Sequence, residues 1–191
     1  MPPKTRYTKD HVLEAALEVV HKEGLEAMSA RTIAGALGSS TAPVSAAFEN
    51  MQALQDAVVN AIIAQLLAKV DATDAKIDPV HGAAFAIARF TADHPRYYEA
   101  LFLHNHPTPP DWAALRFGFS KNLESSARYA RLDARQRDAL AWRASVVTHG
   151  ICIEIWSGRW TKTSDAALKR LIEQLVEPII KAAMPADLGD L

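Results

Sequence analysis

Residues 29–54, SARTIAGALGSSTAPVSAAFENMQAL, read as two short helices joined at Gly38 and anchored by apolar side chains. Ser29 can accept hydrogen bonds from the free N–H groups that open a helix. Ile33, Ala34 and Leu37 then fall together on one face. Gly38 closes this helix, since glycine enters the left-handed region without a steric penalty. Ser40 is placed to cap the following helix, which carries Val44 and Phe48 four residues apart and tolerates Pro43 in its first turn, where an N–H is not needed. Upstream, Thr8 caps a longer segment in which Val12, Leu13, Ala16, Leu17 and Val20 recur at helical spacing as far as Gly24. Three helices with one apolar side each can share a small core, which is the layout of a helix-turn-helix.

Such a unit leaves the outer side of its third helix free, and a helix of that size fits the major groove of B-form DNA. Thr41, Ala42 and Ser45 occupy that side. Ser39 and Ser40 stand at the helix start, where backbone N–H groups and the helix dipole favour a phosphate. Arg31 can reach a phosphate or a guanine edge. By itself it reads equally well as a surface salt-bridge residue. Lys4, Arg6 and Lys9 form a short basic arm. The expected DNA contacts are therefore Lys4, Arg6, Arg31, Ser39, Ser40, Thr41 and Ser45, on a domain spanning residues 1–50.

The remainder, residues 51–191, also reads as helices. Leu54, Val58, Ala61, Ile62, Leu66 and Val70 make one stripe along 51–72, a helix long enough to pass a displacement from one end to the other. Asp78-Pro79 breaks the chain before a helix over 80–93, and His94-Pro95 opens a shorter one. HNHPTPP, 104–110, must be a loop, and helices over 112–131 and 134–157 follow. The latter carries one seam of Leu140, Ala144, Val147, Ile151 and Ile155 and another of Trp142, Val146, His149, Ile153 and Trp156. Positions 140 and 142 diverge by about 200° at helical pitch, so this helix needs cover from two directions. The last helix, 164–184, bears Leu168, Leu171, Leu175 and Ile179 beside Ile172, Val176 and Ile180, with a bend expected at Pro178. A homodimer through these two helices, as a four-helix interface, satisfies the surplus.

Composition agrees with an all-α chain and narrows its partners. A net charge of −1 excludes a general coating of polyanions and confines nucleic-acid contact to local patches. The single cysteine leaves no internal disulfide framework and fits a reducing cytoplasm. No run approaches the roughly 18 consecutive apolar residues of a membrane span. The amino terminus lacks the apolar core of a signal peptide.

The segments TKDHVLEAALEVVHKEGLEAMSARTIAGALG (8–38) and SSTAPVSAAFENMQAL (39–54) resemble the tetracycline-repressor-like (TetR) family of bacterial transcription regulators. The resemblance implies a homodimeric all-helical regulator with a three-helix reading head and a carboxy-terminal body that binds a small effector and dimerises. The sequence departs from the family where a phosphate-touching Tyr is usual, here Ser45, where His is common, here Ala47, and where Lys often opens the fourth helix, here Met51. Residues 1–55 hold five Lys plus Arg against six Asp plus Glu, so DNA binding should be weaker, with a shallower salt dependence. AWRASVVTHGICIEIWSGRW (141–160) is similar to the carboxy-terminal domain of TetR-like regulators named for a Trp-His-Gly signature; His149-Gly150 is present, without the adjoining Trp.

Effector binding needs a cavity in the body. Phe85, Phe90, Tyr97, Tyr98, Phe102, Trp112, Phe117, Trp142 and Trp156, with His149 and Cys152, are the candidate lining. Taken singly, each of these more often fills an ordinary core, and it is as a set that they suit a pocket. His104 and His106 lack a nearby carboxylate at ligand spacing, so neither a metal nor another cofactor is expected. A His149–Cys152 thiolate pair is the one nucleophilic arrangement available, and a buried Cys is usually inert packing, so no enzyme is expected. The reading is a ligand-responsive DNA-binding regulator, a repressor released from its operator by a small molecule. The alternative is a helical ligand-binding or scaffold dimer whose operator affinity has been lost.

Overall fold

In a computed structural model of the chain, residues 7–107 and 123–184 are described. Every regular element among them is helical: α1 (Lys9–Glu23), α2 (Ala30–Leu37), α3 (Ala42–Ala47), α4 (Met51–Asp71), α5 (Pro79–Asp93), α6 (Pro95–Phe102), α7 (Ala134–Trp156) and α8 (Asp165–Ala183), with 3-10 turns at Leu25–Ala27 and Ala127–Tyr129. Most of the helix expected over 112–131 lies outside the described residues. The chain divides into two compact units, Met1–Gln65 with His94–Pro110 and Leu66–Asp93 with Asp111–Leu191. The division falls within α4.

Local capping chemistry shapes the first unit. Thr8 Oγ1 accepts the His11 N–H at 3.3 Å and the Thr8 N–H donates to His11 Nδ1 at 3.2 Å, which closes the start of α1. Val12, Ala15, Ala16, Val19 and Val20 are buried along it. Ser29 does the same for α2: its Oγ accepts the Thr32 N–H at 3.1 Å and its own N–H donates to Thr32 Oγ1 at 3.0 Å. Gly38 stops α2 in the left-handed conformation, φ 62 and ψ 39, while Ser39 N–H donates back to the Ala34 carbonyl. The expected cap of α3 is corrected. Thr41, already in helical conformation, precedes the helix, no side chain caps it, and Ser40 instead offers its carbonyl to Ser39 Oγ at 2.9 Å. The turn tightens one residue further along than side-chain type suggests. Val44 and Phe48 are buried, and Lys9 Nζ stands 4.8 Å from the Phe48 ring centroid. α6 belongs to this unit and is tied to α1 by Tyr97, whose hydroxyl donates to the Leu17 carbonyl at 3.1 Å.

By length and composition α4 is long and apolar enough to cross a membrane. It nonetheless carries Gln52, Asp56 and Asn60, with Gln52 donating to Asp56 at 2.8 Å, and buries Leu54, Val58, Ile62, Leu66 and Val70 within the protein.

In the second unit α5 packs against both α7 and α8, which also pack on each other. Asp78 caps α5, its Oδ1 accepting the N–H groups of Val80 at 3.0 Å and His81 at 3.2 Å. The small residues Gly82, Ala83, Ala84, Ala86 and Ala88 are buried beside Ile87 and Phe90. Gly82 is required by contact: a Cβ there would lie 2.4 Å from Thr73 Cγ2. Asp133 and Gln136 form a capping box on α7, and Ser164 caps α8, which continues through Pro178. α7 buries Leu140, Ala144, Ile151 and Ile155 but leaves Trp142 69%, Val146 51% and Trp156 37% exposed. α8 buries Leu168, Ile172, Val176 and Ile180 and exposes Leu175. Its own chain therefore covers α7 from one direction.

Candidate functional site

The α2–turn–α3 segment presents an open polar surface. Thr41, Ala42, Ser45 and Ala46 are exposed along α3, and Ser40 is exposed in the turn. Ser45 Oγ donates to the Thr41 carbonyl at 3.4 Å and Ser39 Oγ to the Ser40 carbonyl at 2.9 Å, so both hydroxyls would exchange an internal bond for one to a phosphate. Arg31, in the first turn of α2, is exposed and has no ion-pair partner among the described residues. Its five donors are thus available to a phosphate or a guanine edge. Lys4 and Arg6 lie outside the described residues.

A cavity of about 750 Å³ opens in the second unit, bordered by the end of α4, the turn after it, α5 and α8. Ala72, Ile77, Phe85, Ala86 and Ile172 supply its apolar wall. Lys69, Arg89 and Lys169 supply cations, and Asp74, Asp78, Glu173 and Glu177 carboxylates. At one end a network joins three parts of the unit. Asp78 Oδ2 accepts Tyr129 Oη at 2.6 Å and Arg128 Nη1 at 2.9 Å, while Arg128 Nη2 reaches Glu177 at 3.0 Å. His81 lies between the two carboxylates, 3.3 Å from Asp78 and 3.5 Å from Glu177. Burial pushes the Asp78 carboxyl upward, but hydrogen bonds from His81 and Tyr129 and the charge of Arg128 outweigh it and hold the group well below the usual carboxylate range. Tyr129, buried and donating to that carboxylate, is held far above an ordinary phenol.

Of the candidate lining residues, Phe85 borders this cavity. Tyr97, Tyr98 and Phe102 lie in the first unit, where Tyr97 stacks on His94 with centroids 5.4 Å apart and Tyr98 meets Phe102 at 5.1 Å. Phe90 is packed into the second unit and is 1% exposed. Trp142 and Trp156 are on the surface of α7. His149, half-buried, and Cys152, fully buried, share a face of α7; burial lowers the His149 pKa and pushes the Cys152 thiol up to about 12 against a hydrogen bond from Thr91. A thiol so placed is no nucleophile near neutrality. Trp112 and Phe117 lie outside the described residues. Among the described residues no group of three or more His, Cys, Asp or Glu side chains could hold a metal. The cavity's charged residues were missed because nothing in the sequence links positions 69, 89 and 169. The nearest local signal is Asp78 followed by His81, the spacing of a helix cap.

No protein-family profile matches the sequence, and no curated protein matches it either. Solved structures do resemble it in fold. A TetR variant of Acinetobacter baumannii AYE in complex with minocycline is 17% identical, with a TM-score of 0.61 over 94% of this chain and 100% of that one. SmeT, the repressor of the Stenotrophomonas maltophilia multidrug efflux pump SmeDEF, is 15% identical, with a TM-score of 0.62 over 98% of both chains. MexZ, a repressor responsible for antibiotic resistance in Pseudomonas aeruginosa, is 16% identical, with a TM-score of 0.61 over 96% and 98%.

Proposed function

From a chain that carries the TetR-family fold, we infer a dimeric DNA-binding transcription regulator that works in the cytoplasm as a repressor and is released from its operator by a small effector. The observation that carries this reading is the exposed outer side of α3, with Thr41 and Ser45 on it and Arg31 exposed on α2. Residues 1–50 act as the reading head and 51–191 as the effector-binding and dimerising body. α7 and α8 form the dimer contact, where Trp142, Val146, Trp156 and Leu175 are exposed on one chain and would be covered by a twin. Two heads then meet successive major grooves of a near-palindromic site.

Release follows if the effector binds better to a dimer whose heads are spaced wrongly for the groove, since a ligand shifts an equilibrium only by its differential affinity. The cavity of the second unit touches α4 at Lys69 and Ala72, and α4 continues without a break from Met51, immediately after the head. The acidic balance of residues 1–55 favours the scaffold-dimer alternative and makes DNA binding the deciding measurement.

Fluorescence anisotropy on the DNA upstream of its own gene, titrated with salt, separates the two. A specific complex with a shallow salt slope supports the regulator. Binding that is absent or indifferent to sequence supports the scaffold.

A further inference from the structure

We propose that the cavity beside α5 takes an organic monoanion with an apolar body, a carboxylate or sulfonate amphiphile, and that Lys169 and Arg89 hold its head group. This rests on the effector reading above and names the class of ligand.

The unequal state of the lining charges carries the inference. At the Asp78 end the carboxylates are already committed. Asp78 accepts backbone N–H groups of Val80 and His81 on one oxygen and Tyr129 and Arg128 on the other. Glu177 is held by Arg128, with His81 Nε2 at 3.5 Å and Lys181 at 3.9 Å. A ligand cation arriving there would have to compete with the Arg128 guanidinium, which already pairs with both carboxylates.

Two of the three cations, Lys169 and Lys69, are less committed, and the third, Arg89, keeps one donor unused. Lys169 Nζ has no carboxylate partner among the described residues and rests 5.2 Å from the centroid of the Phe85 ring. Arg89 uses Nη2 for Asp93 at 2.8 Å and Nη1 for the Thr163 carbonyl, with Asp165 at 3.6 Å, yet its buried Nε has no hydrogen-bond acceptor. A buried N–H without an acceptor is costly, and a bound oxyanion would supply one. Lys69, on α4, is a second cation with no ion-pair partner among the described residues, and Asp74 and Glu173 are the carboxylates of the lining in the same state. The apolar wall, with Phe85, Ile77 and Ile172, gives the rest of the molecule somewhere dry to lie, and the volume is that of ordinary small-molecule sites. No residue of α7 borders this cavity.

The test is isothermal titration of the full chain at pH 7 with three ten-carbon probes: decanoate, decylamine and decanol. Decanoate should bind at least tenfold more tightly than either of the others. Lys169→Glu should weaken decanoate at least tenfold and leave decanol within twofold. Ala72→Trp, which fills the cavity from its exposed side, should abolish all binding while thermal unfolding shows an intact fold. Preference for decylamine, or decanoate affinity unmoved by Lys169→Glu, overturns the anion assignment and leaves the cavity as the effector site. Failure of decanoate to bind also overturns the assignment. Binding that survives Ala72→Trp removes the cavity from the effector reading as well.

Discussion

The outer sides of α3 and of α7 are both open to solvent, and they are built from opposite materials. α3 shows Thr41, Ala42, Ser45 and Ala46, small residues that surrender little rotamer freedom when something settles on them. α7 shows Trp142, Val146 and Trp156, whose apolar area is unfavourable in water and favourable against another apolar surface. On the proposed function, one face would meet a hydrated polyanion and the other a copy of itself. Length separates them too: α3 has six residues and depends on α2 and the turn for its position, while α7 has 23 and its own capping box.

The largest effect should come from turning the apolar face polar. Trp142→Glu should weaken self-association at least a hundredfold, about 3 kcal/mol for a central aromatic anchor, as read by sedimentation equilibrium. A variant that stays fully dimeric breaks the comparison on the α7 side. On the α3 side, Arg31→Ala should lower specific DNA affinity about tenfold and reduce the salt slope by about one, without changing the oligomer. If specific binding is untouched, Arg31 leaves the contact set. Ser29→Ala, which removes the cap of α2, should cost about 1 kcal/mol in urea unfolding and loosen the head more than the body. No loss of stability would mean that packing on Ile33 alone holds α2 in place.

The smallest effect concerns acid. The Asp78 carboxyl titrates lower in the folded chain than in the unfolded one, so its stabilisation is complete above the unfolded value near 4 and is lost as pH falls below it. At pH 4 the loss is only beginning, about 0.4 kcal/mol or roughly 1 °C in Tm. Asp78→Asn, less stable throughout, should lose this share of the acid dependence. An unchanged acid slope would assign it to other carboxylates.

What could be read from the sequence follows the range of the forces involved. Thr8, Ser29 and Gly38 act within four residues, so their types and spacing announced α1, α2 and the stop between α2 and α3. Ser40 misled because Thr41 already takes helical geometry before α3 begins, a backbone preference that side-chain type does not reveal. The two seams of α7 were visible in its periodicity, but which one its own chain covers is settled by α5 and α8 packing on a single side. The cavity was the least legible. Large aromatics were the expected lining, whereas the walls bring together Lys69, Arg89, Lys169 and Glu177, each unremarkable on its own helix. Tyr97 and Tyr98 were instead drawn into the first unit, where the Tyr97 hydroxyl found the Leu17 carbonyl.

Cys152 has a practical corollary. It is the sole sulfhydryl of the chain, fully shielded and kept protonated at neutrality. Iodoacetamide should therefore leave the native molecule unmarked and alkylate it only when the second unit opens. The rate at which label accumulates becomes a built-in stopwatch for that opening, and any ligand that tightens this unit should slow it.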